Sequence, residues 1–269
     1  MSESARFAQR GDRRIHWDGE GEGEPLLLLP GLGGGARTFG TLPRRFARAG
    51  RRALTYDPVG IPPSSPLDGP FRFEDAARDV LAVLDDAGIA RVDLVGTSLG
   101  GKVALAVALA APERVRRLVM LASHAVVTPR TQRVHRFFLT AAETVPAERF
   151  GELVAPFLFG ATFHRERSQM VEEILRASRP AAATRELMIA QARALIAMES
   201  APDLSALRTP TLCIAGREDT LTLEEDVRAG AASIHGARFL AIERAGHSVL
   251  LESAATFDAI IAFLANAPA

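Results

Sequence analysis

The chain has 269 residues, 48% of them hydrophobic and 24% charged, which is enough to bury a substantial core within one domain. Thirty-two basic residues balance 32 acidic ones, so the chain lacks the electrostatic footprint of a protein that binds nucleic acid or an anionic membrane, and neither partner is expected. The acidic and polar start of the chain (MSESAR), the interruption of its longest apolar run at Pro112, and a single cysteine, Cys213, inside the apolar run Thr211–Ala215 together read as a soluble, cytoplasmic protein without an intramolecular disulfide.

In chain order, residues 5 to 18 read as a hairpin, and Leu26–Leu29 as a short strand buried on both faces. The loop Pro30-Gly31-Leu32-Gly33-Gly34-Gly35 follows, and then a second apolar strand, Ala53–Tyr56. Phe73, Ala76, Ala77, Val80, Leu81 and Leu84 recur at helical spacing, with charged residues opposite and Gly88 as a stop. Val92–Val95 is a third strand, and the stretch from Val103 to Ala111 is a helix apolar on every side, as expected deep in a protein. Leu118–Ala122, Thr211–Ala215 and Phe239–Ile242 add three strands, and Phe257, Ile260, Ile261 and Leu264 mark a C-terminal amphipathic helix. Such alternation predicts an α/β fold, a mostly parallel central sheet flanked by helices.

The alternation breaks between Ser123 and Thr209, where Phe137, Phe138 and Leu139, then Leu153, Phe157 and Leu158, then Ile189, Leu195 and Ile196 cluster at helical spacing. Residues 124–209 therefore read as a helical cap of about four helices inserted into a core made of residues 1–123 and 210–269. Six of the 14 phenylalanines fall in this segment, so its inner face is expected to be apolar and to exclude water from a small pocket.

Gly96-Thr97-Ser98-Leu99-Gly100 sits between the third strand and the buried helix, the context of a sharp turn that exposes a nucleophilic hydroxyl. An alcohol needs a base, and the base needs a carboxylate to fix its tautomer. Asp219, in the loop after Thr211–Ala215, and His247, in the loop after Phe239–Ile242, are the candidates; Asp219 is favoured over Glu218 by spacing. Serine, acid and histidine thus each follow a strand of a parallel sheet and should meet at one edge. Just past Asp219, Thr222-Leu223-Glu224-Glu225 has the pattern of a capping box. In the glycine-rich loop the backbone can approach a bound carbonyl, which makes the N–H groups of Leu32 and Leu99 the natural oxyanion donors. Gly31 and His124 are candidates for contact with substrate, whereas His16, His135, His164 and His235 read as structural or solvated.

Three other patterns compete. Gly31–Ala36 fits G-x-G-x-x-A, with Asp57 ending the next strand, the outline of a dinucleotide site, but that reading leaves Asp219 and His247 unused. Gly96–Lys102 fits the start of a phosphate loop, yet Val103 stands where a magnesium-binding hydroxyl is required. Lys102 lies four residues after Ser98 rather than three, so the S-x-x-K pattern fails and Lys102 reads as a helix residue reaching solvent or a carboxylate.

LLLLPGLGGG, VDLVGTSLGG, TPTLCIAGRED and ERAGHSVLLE resemble, in that order, the oxyanion loop, nucleophile elbow, acid loop and histidine loop of the α/β-hydrolase superfamily. Within it the chain looks most like the branch of 3-oxoadipate enol-lactonases and small carboxylesterases. The resemblance spans essentially the whole chain and implies Ser98 as nucleophile, Asp219 as acid, His247 as base, and hydrolysis of a small-molecule ester or lactone through an acyl-enzyme, with no cofactor and no metal. Pro30-Gly31 stands where many members have His-Gly, and Gly60-Ile61-Pro62-Pro63-Ser64 where many have a Gly-x-Gly-x-Ser turn. A ligand receptor on the same fold, and C–C bond cleavage or perhydrolysis on the same triad, are the alternatives. The oligomeric state is not legible in the sequence.

Overall fold

The computed structural model of the protein describes residues 5–177 and 182–265. Among the described residues eight strands form one sheet: β1 (Arg6–Arg10), β2 (Arg13–Glu20), β3 (Glu24–Leu29), β4 (Arg51–Tyr56), β5 (Val92–Thr97), β6 (Val115–Leu121), β7 (Thr211–Gly216) and β8 (Arg238–Ile242), in the order β1-β2-β4-β3-β5-β6-β7-β8. The hairpin β1–β2 is antiparallel and joins β4 antiparallel, while β4 through β8 pair in parallel. Strand β6 ends one residue before the sequence suggests because Ala122 adopts a positive φ of 45°.

Helices α1 (Leu42–Arg48), α2 (Phe73–Asp86) and α3 (Leu99–Ala110) follow β3, β4 and β5. The alternation of side chains along β3 shows how two layers are specified: Leu27 and Leu29 enter a core with residues of α2 and α3, and Leu26 and Leu28 enter one on the opposite face with Phe46 of α1. Eight of the 12 residues of α3 are buried, consistent with its apolar circumference.

Between β6 and β7 the described residues form five helices rather than about four: α4 (Pro129–Thr144), α5 (Ala147–Leu158), α6 (Ala161–Glu166), α7 (Ser168–Ala177) and α8 (Ala182–Ala197). The additional helix is the six-residue α6, too short for hydrophobic periodicity to reveal. A capping box between Thr128 and Thr131, with Pro129 at the first turn, starts α4. Phe138, Phe150, Val154 and Met188 pack together above the sheet and reach Leu32 and Leu221 in the loops after β3 and β7. Helices α9 (Glu224–Ala232), α10 (Val249–Glu252) and α11 (Ala254–Ala265) complete the chain, α11 packing Phe257, Ile260 and Phe263 into the same layer as Phe46.

The order of strands places the functional loops. From β3 the chain moves outward to β4 and then returns across β3 to β5, so the loops leaving β3 and β5 diverge and open a crevice at the C-terminal ends of adjacent strands. Leu29 pairs in register with Gly96, which sets the glycine-rich loop beside the turn containing Ser98. On β5, Asp93 is fully buried and ion-paired with Arg51, with Arg116 at 2.9 Å and with Arg117 at 3.6 Å.

Candidate active site

Ser98 bridges β5 and α3 with φ 53°, a left-handed conformation that a residue with a β-carbon rarely adopts. Its N–H donates to the Leu121 carbonyl at 2.8 Å, anchoring the turn to β6. A β-carbon at Gly96 would land on the Gly100 carbonyl, and one at Gly100 on the Leu29 carbonyl, so the tight passage of α3 over β3 excludes any larger residue at either position. The Leu99 N–H opens α3 and is one of the first-turn donors that a helix leaves without an intrahelical partner. A β-carbon on Gly31 would lie 3.6 Å from Ser98 Cβ, so the glycine-rich loop runs directly alongside the serine.

That loop is held from three directions. Gly34 N–H donates to the Gly31 carbonyl at 3.0 Å, Gly33 N–H to Gln191 Oε1 on α8 at 2.8 Å, and Ala36 N–H to Asp57 Oδ1 at 2.8 Å. The other oxygen of Asp57 meets His16 Nδ1 at 2.7 Å. Both oxygens of Asp57 are therefore engaged within the protein, which removes the acid that a dinucleotide ribose would require.

Asp219 and His247 are brought together by backbone pairing between their loops: Arg217 N–H donates to the Ile242 carbonyl at 2.9 Å and Glu218 N–H to the Ala245 carbonyl at 2.8 Å. Asp219 Oδ2 accepts from His247 Nδ1 at 2.9 Å, and Asp219 Oδ1 accepts from the N–H groups of Leu221 and Thr222 at 2.8 Å each. The Asp219 side chain is fully buried. A carboxylate only accepts, so Nδ1 carries the imidazole proton and Nε2 is left as the acceptor. The capping box expected at Thr222 does not form, because Asp219 claims the Thr222 amide and α9 begins at Glu224 behind Leu223. Glu218 turns away to Thr162, accepting from its N–H at 2.7 Å and its hydroxyl at 2.6 Å. Glu252, which sequence reasoning missed, accepts from Gly246 N–H at 2.8 Å and Gly160 N–H at 2.9 Å, tying the histidine loop to the helical segment; burial raises its pKa.

Ser98 and His247 line one cavity of about 400 Å³, together with Leu32, Leu99, Phe138 and Met188. Lys102, Ser123, His124 and His135 line the same cavity. Lys102 does not extend to bulk solvent or to a carboxylate, as the sequence suggests; its Nζ donates to the His124 carbonyl, and burial lowers its pKa to about 8. His135 also departs from its expected structural or solvated role by facing this cavity. Burial lowers the His124 and His135 pKa values to about 3 and about 4, helped in both cases by the Lys102 charge, so both rings are neutral at pH 7. The sequence signal for Lys102 was its place on the first turn of the helix that follows Ser98. Burial pushes the Cys213 thiol up to about 12, the state of an inert core thiol.

Residues 24–254 match the family described as the alpha/beta hydrolase fold. The chain belongs to that family. It is 29% identical to the protein named carbamate hydrolase RutD of Variovorax paradoxus over 95% of this chain and 97% of that one. It is 28% identical to the 2-hydroxy-6-oxo-6-phenylhexa-2,4-dienoate hydrolase of Comamonas testosteroni over 92% and 89%, respectively. Among solved structures, a hydrolase from Pseudomonas aeruginosa superposes with a TM-score of 0.85 at 26% identity, over 99% of this chain and all of that one. The enol-lactonase of Burkholderia xenovorans shares the fold with a TM-score of 0.84 at 24% identity, over 97% of this chain and all of that one. The chain is thus a hydrolase of the α/β fold. Among its described residues, no helix is long and apolar enough to cross a membrane.

Proposed function

We propose that this hydrolase cleaves a carboxylic ester or lactone through an acyl-enzyme, with Ser98 as nucleophile, His247 as base and Asp219 as the orienting acid. The observation that carries this reading is the buried 2.9 Å contact between His247 Nδ1 and Asp219 Oδ2 behind the cavity that Ser98 shares with His247. His247 Nε2 takes the Ser98 proton as Oγ attacks the carbonyl carbon. The N–H groups of Leu32 and Leu99 hold the tetrahedral oxyanion, and a donor of this kind contributes about 2.7 to 4 kcal/mol to transition-state stabilisation. Collapse breaks the C–O bond, and the imidazolium passes its proton to the leaving alkoxide. Water then attacks the acyl carbon, giving its proton to His247, and the acid departs as Ser98 is reprotonated. Asp219 stays ionised throughout.

Gly31 borders the reacting carbonyl, His124 contributes to the cavity lining, and residues 124–209 act as a cap that keeps the site dry. Core residues 1–123 and 210–269 supply the three reacting side chains. The relatives named for carbamate and C–C bond hydrolysis motivate a second reading, in which the same serine attacks a carbamate or ketone carbonyl. A panel of p-nitrophenyl esters, lactones, a carbamate and a β-diketone separates the two readings, ester and lactone turnover being expected to dominate. Fluorophosphonate should label Ser98 stoichiometrically, as read by peptide mass spectrometry. Label on another residue would remove the nucleophile assignment, and an inert panel with unlabelled Ser98 would favour a ligand receptor.

A further inference from the structure

The cavity lining has polar chemistry that hydrolysis at Ser98 leaves unused. Lys102 stands on the first turn of α3, four residues past Ser98, and both residues line the same cavity. An ammonium group has three donors and no acceptor, and at Lys102 only the His124 carbonyl is engaged. Among the described residues no carboxylate lies within 4 Å of it; Asp226 attracts it from beyond ion-pair range. Around Lys102, Ser123 Oγ, His124 Nδ1 and His135 Nδ1 are buried without a hydrogen-bond partner. Ser123 is only 2% exposed and His124 6%, so neither is satisfied by bulk water. Ala122, which precedes Ser123, has one of the three positive φ values found among the described non-glycine residues, and Ser98 has another. The charged groups nearby are Asp226 and Glu225 on α9 and Arg130 on α4, whose guanidinium is committed to the carbonyls of Thr220 and Leu221.

We infer that Lys102, Ser123, His124 and His135 form a carboxylate-binding subsite, so that the ester or lactone opened at Ser98 carries a carboxylate on its acyl chain. One cation outside any ion pair, attracted only at longer range by Asp226, matches one carboxylate, and the hydroxyl and neutral imidazoles supply the remaining donors. A short dicarboxylate such as glutarate is the simplest probe of such an acyl chain, whose methylenes would run along the apolar lining of the shared cavity. The cleavage step rests on the triad proposed above; the binding step does not.

The test compares mono-p-nitrophenyl glutarate with p-nitrophenyl pentanoate on the wild type, Lys102→Met and Lys102→Gln. It adds calorimetric binding of glutarate to the wild type, Lys102→Met and Ser98→Ala. The wild type should favour the charged ester in kcat/KM by at least about tenfold, the return expected of a charge-assisted hydrogen bond. Both Lys102 variants should erase most of that preference, chiefly through KM, and Lys102→Met should lose at least about tenfold in glutarate affinity while Ser98→Ala keeps it. Equal use of the two esters by the wild type, a preference ratio unchanged in both variants, or wild-type glutarate affinity in Lys102→Met would overturn the subsite. Hydrolysis persisting in Ser98→Ala would instead overturn the triad alone, because glutarate affinity reads the Lys102 subsite directly.

Discussion

Asp219 and Lys102 are charged groups near one cavity, Asp219 behind the His247 that lines it and Lys102 in the lining itself, and their surroundings follow different rules. Around Asp219 both carboxylate oxygens are occupied, by His247 on one side and by two backbone amides on the other. Around Lys102, one carbonyl is engaged while a hydroxyl and two imidazole nitrogens remain without partners. A saturated network fixes one geometry, which is what proton transfer requires. An unsaturated network costs stability and retains donors for something that arrives from outside.

The largest effect should come from damaging the saturated side. Asp219→Asn keeps an oxygen for Leu221 and Thr222 but offers His247 an amide, favouring the wrong tautomer. Turnover should fall by about 10⁴ with the fold intact by circular dichroism; turnover within a few fold of wild type would place the acid elsewhere.

Damage to the unsaturated side should act in the opposite direction on stability. Because the Lys102 pKa falls from 10.5 to about 8 on folding, the unfolded chain binds more protons between these values, and stability rises as pH increases through that window. Below pH 8 the buried charge is a full cost, so Lys102→Met should stabilise the neutral protein by roughly 2 to 3 kcal/mol. Denaturant melts at pH 7 and pH 10.5 should show this gain shrinking at the higher pH. A destabilised Met variant at pH 7 would mean that the ammonium is satisfied after all, and the contrast between the two groups would disappear.

The smallest effect concerns the link between them. Gln191 is 1% exposed and holds the Gly33 amide from α8, so Gln191→Leu leaves a buried N–H without an acceptor next to the proposed oxyanion donor of Leu32. A loss of about 1.4 kcal/mol in transition-state stabilisation, or about tenfold in kcat with little change in KM, is expected from steady-state kinetics. A change confined to KM would assign Gln191 to substrate binding instead.

Much of the frame was legible because it is written in local pattern. The apolar runs of β3 through β8, the helical period from Phe73 to Leu84 and the glycines around Ser98 are short-range signals, each tied to a backbone requirement. The serine, acid and histidine loops could be located because each follows a parallel strand. The short helix α6, the roles of Gln191 and Glu252, and the failure of the Thr222 cap were not legible, since each depends on a side-chain partner, from 3 to 158 residues away in sequence, that no local pattern marks, or on a helix too brief to show a period.

The sequence alone determined the α/β architecture and which loops hold Ser98, Asp219 and His247, because hydrophobic period and strand-end position follow from the covalent order. Only the tertiary structure decided that Asp219, not Glu218, meets His247, and that Lys102 faces a cavity rather than solvent. The reason is physical: whether a buried charge finds a partner depends on which distant backbone groups packing brings within about 3 Å, and no local pattern encodes that distance.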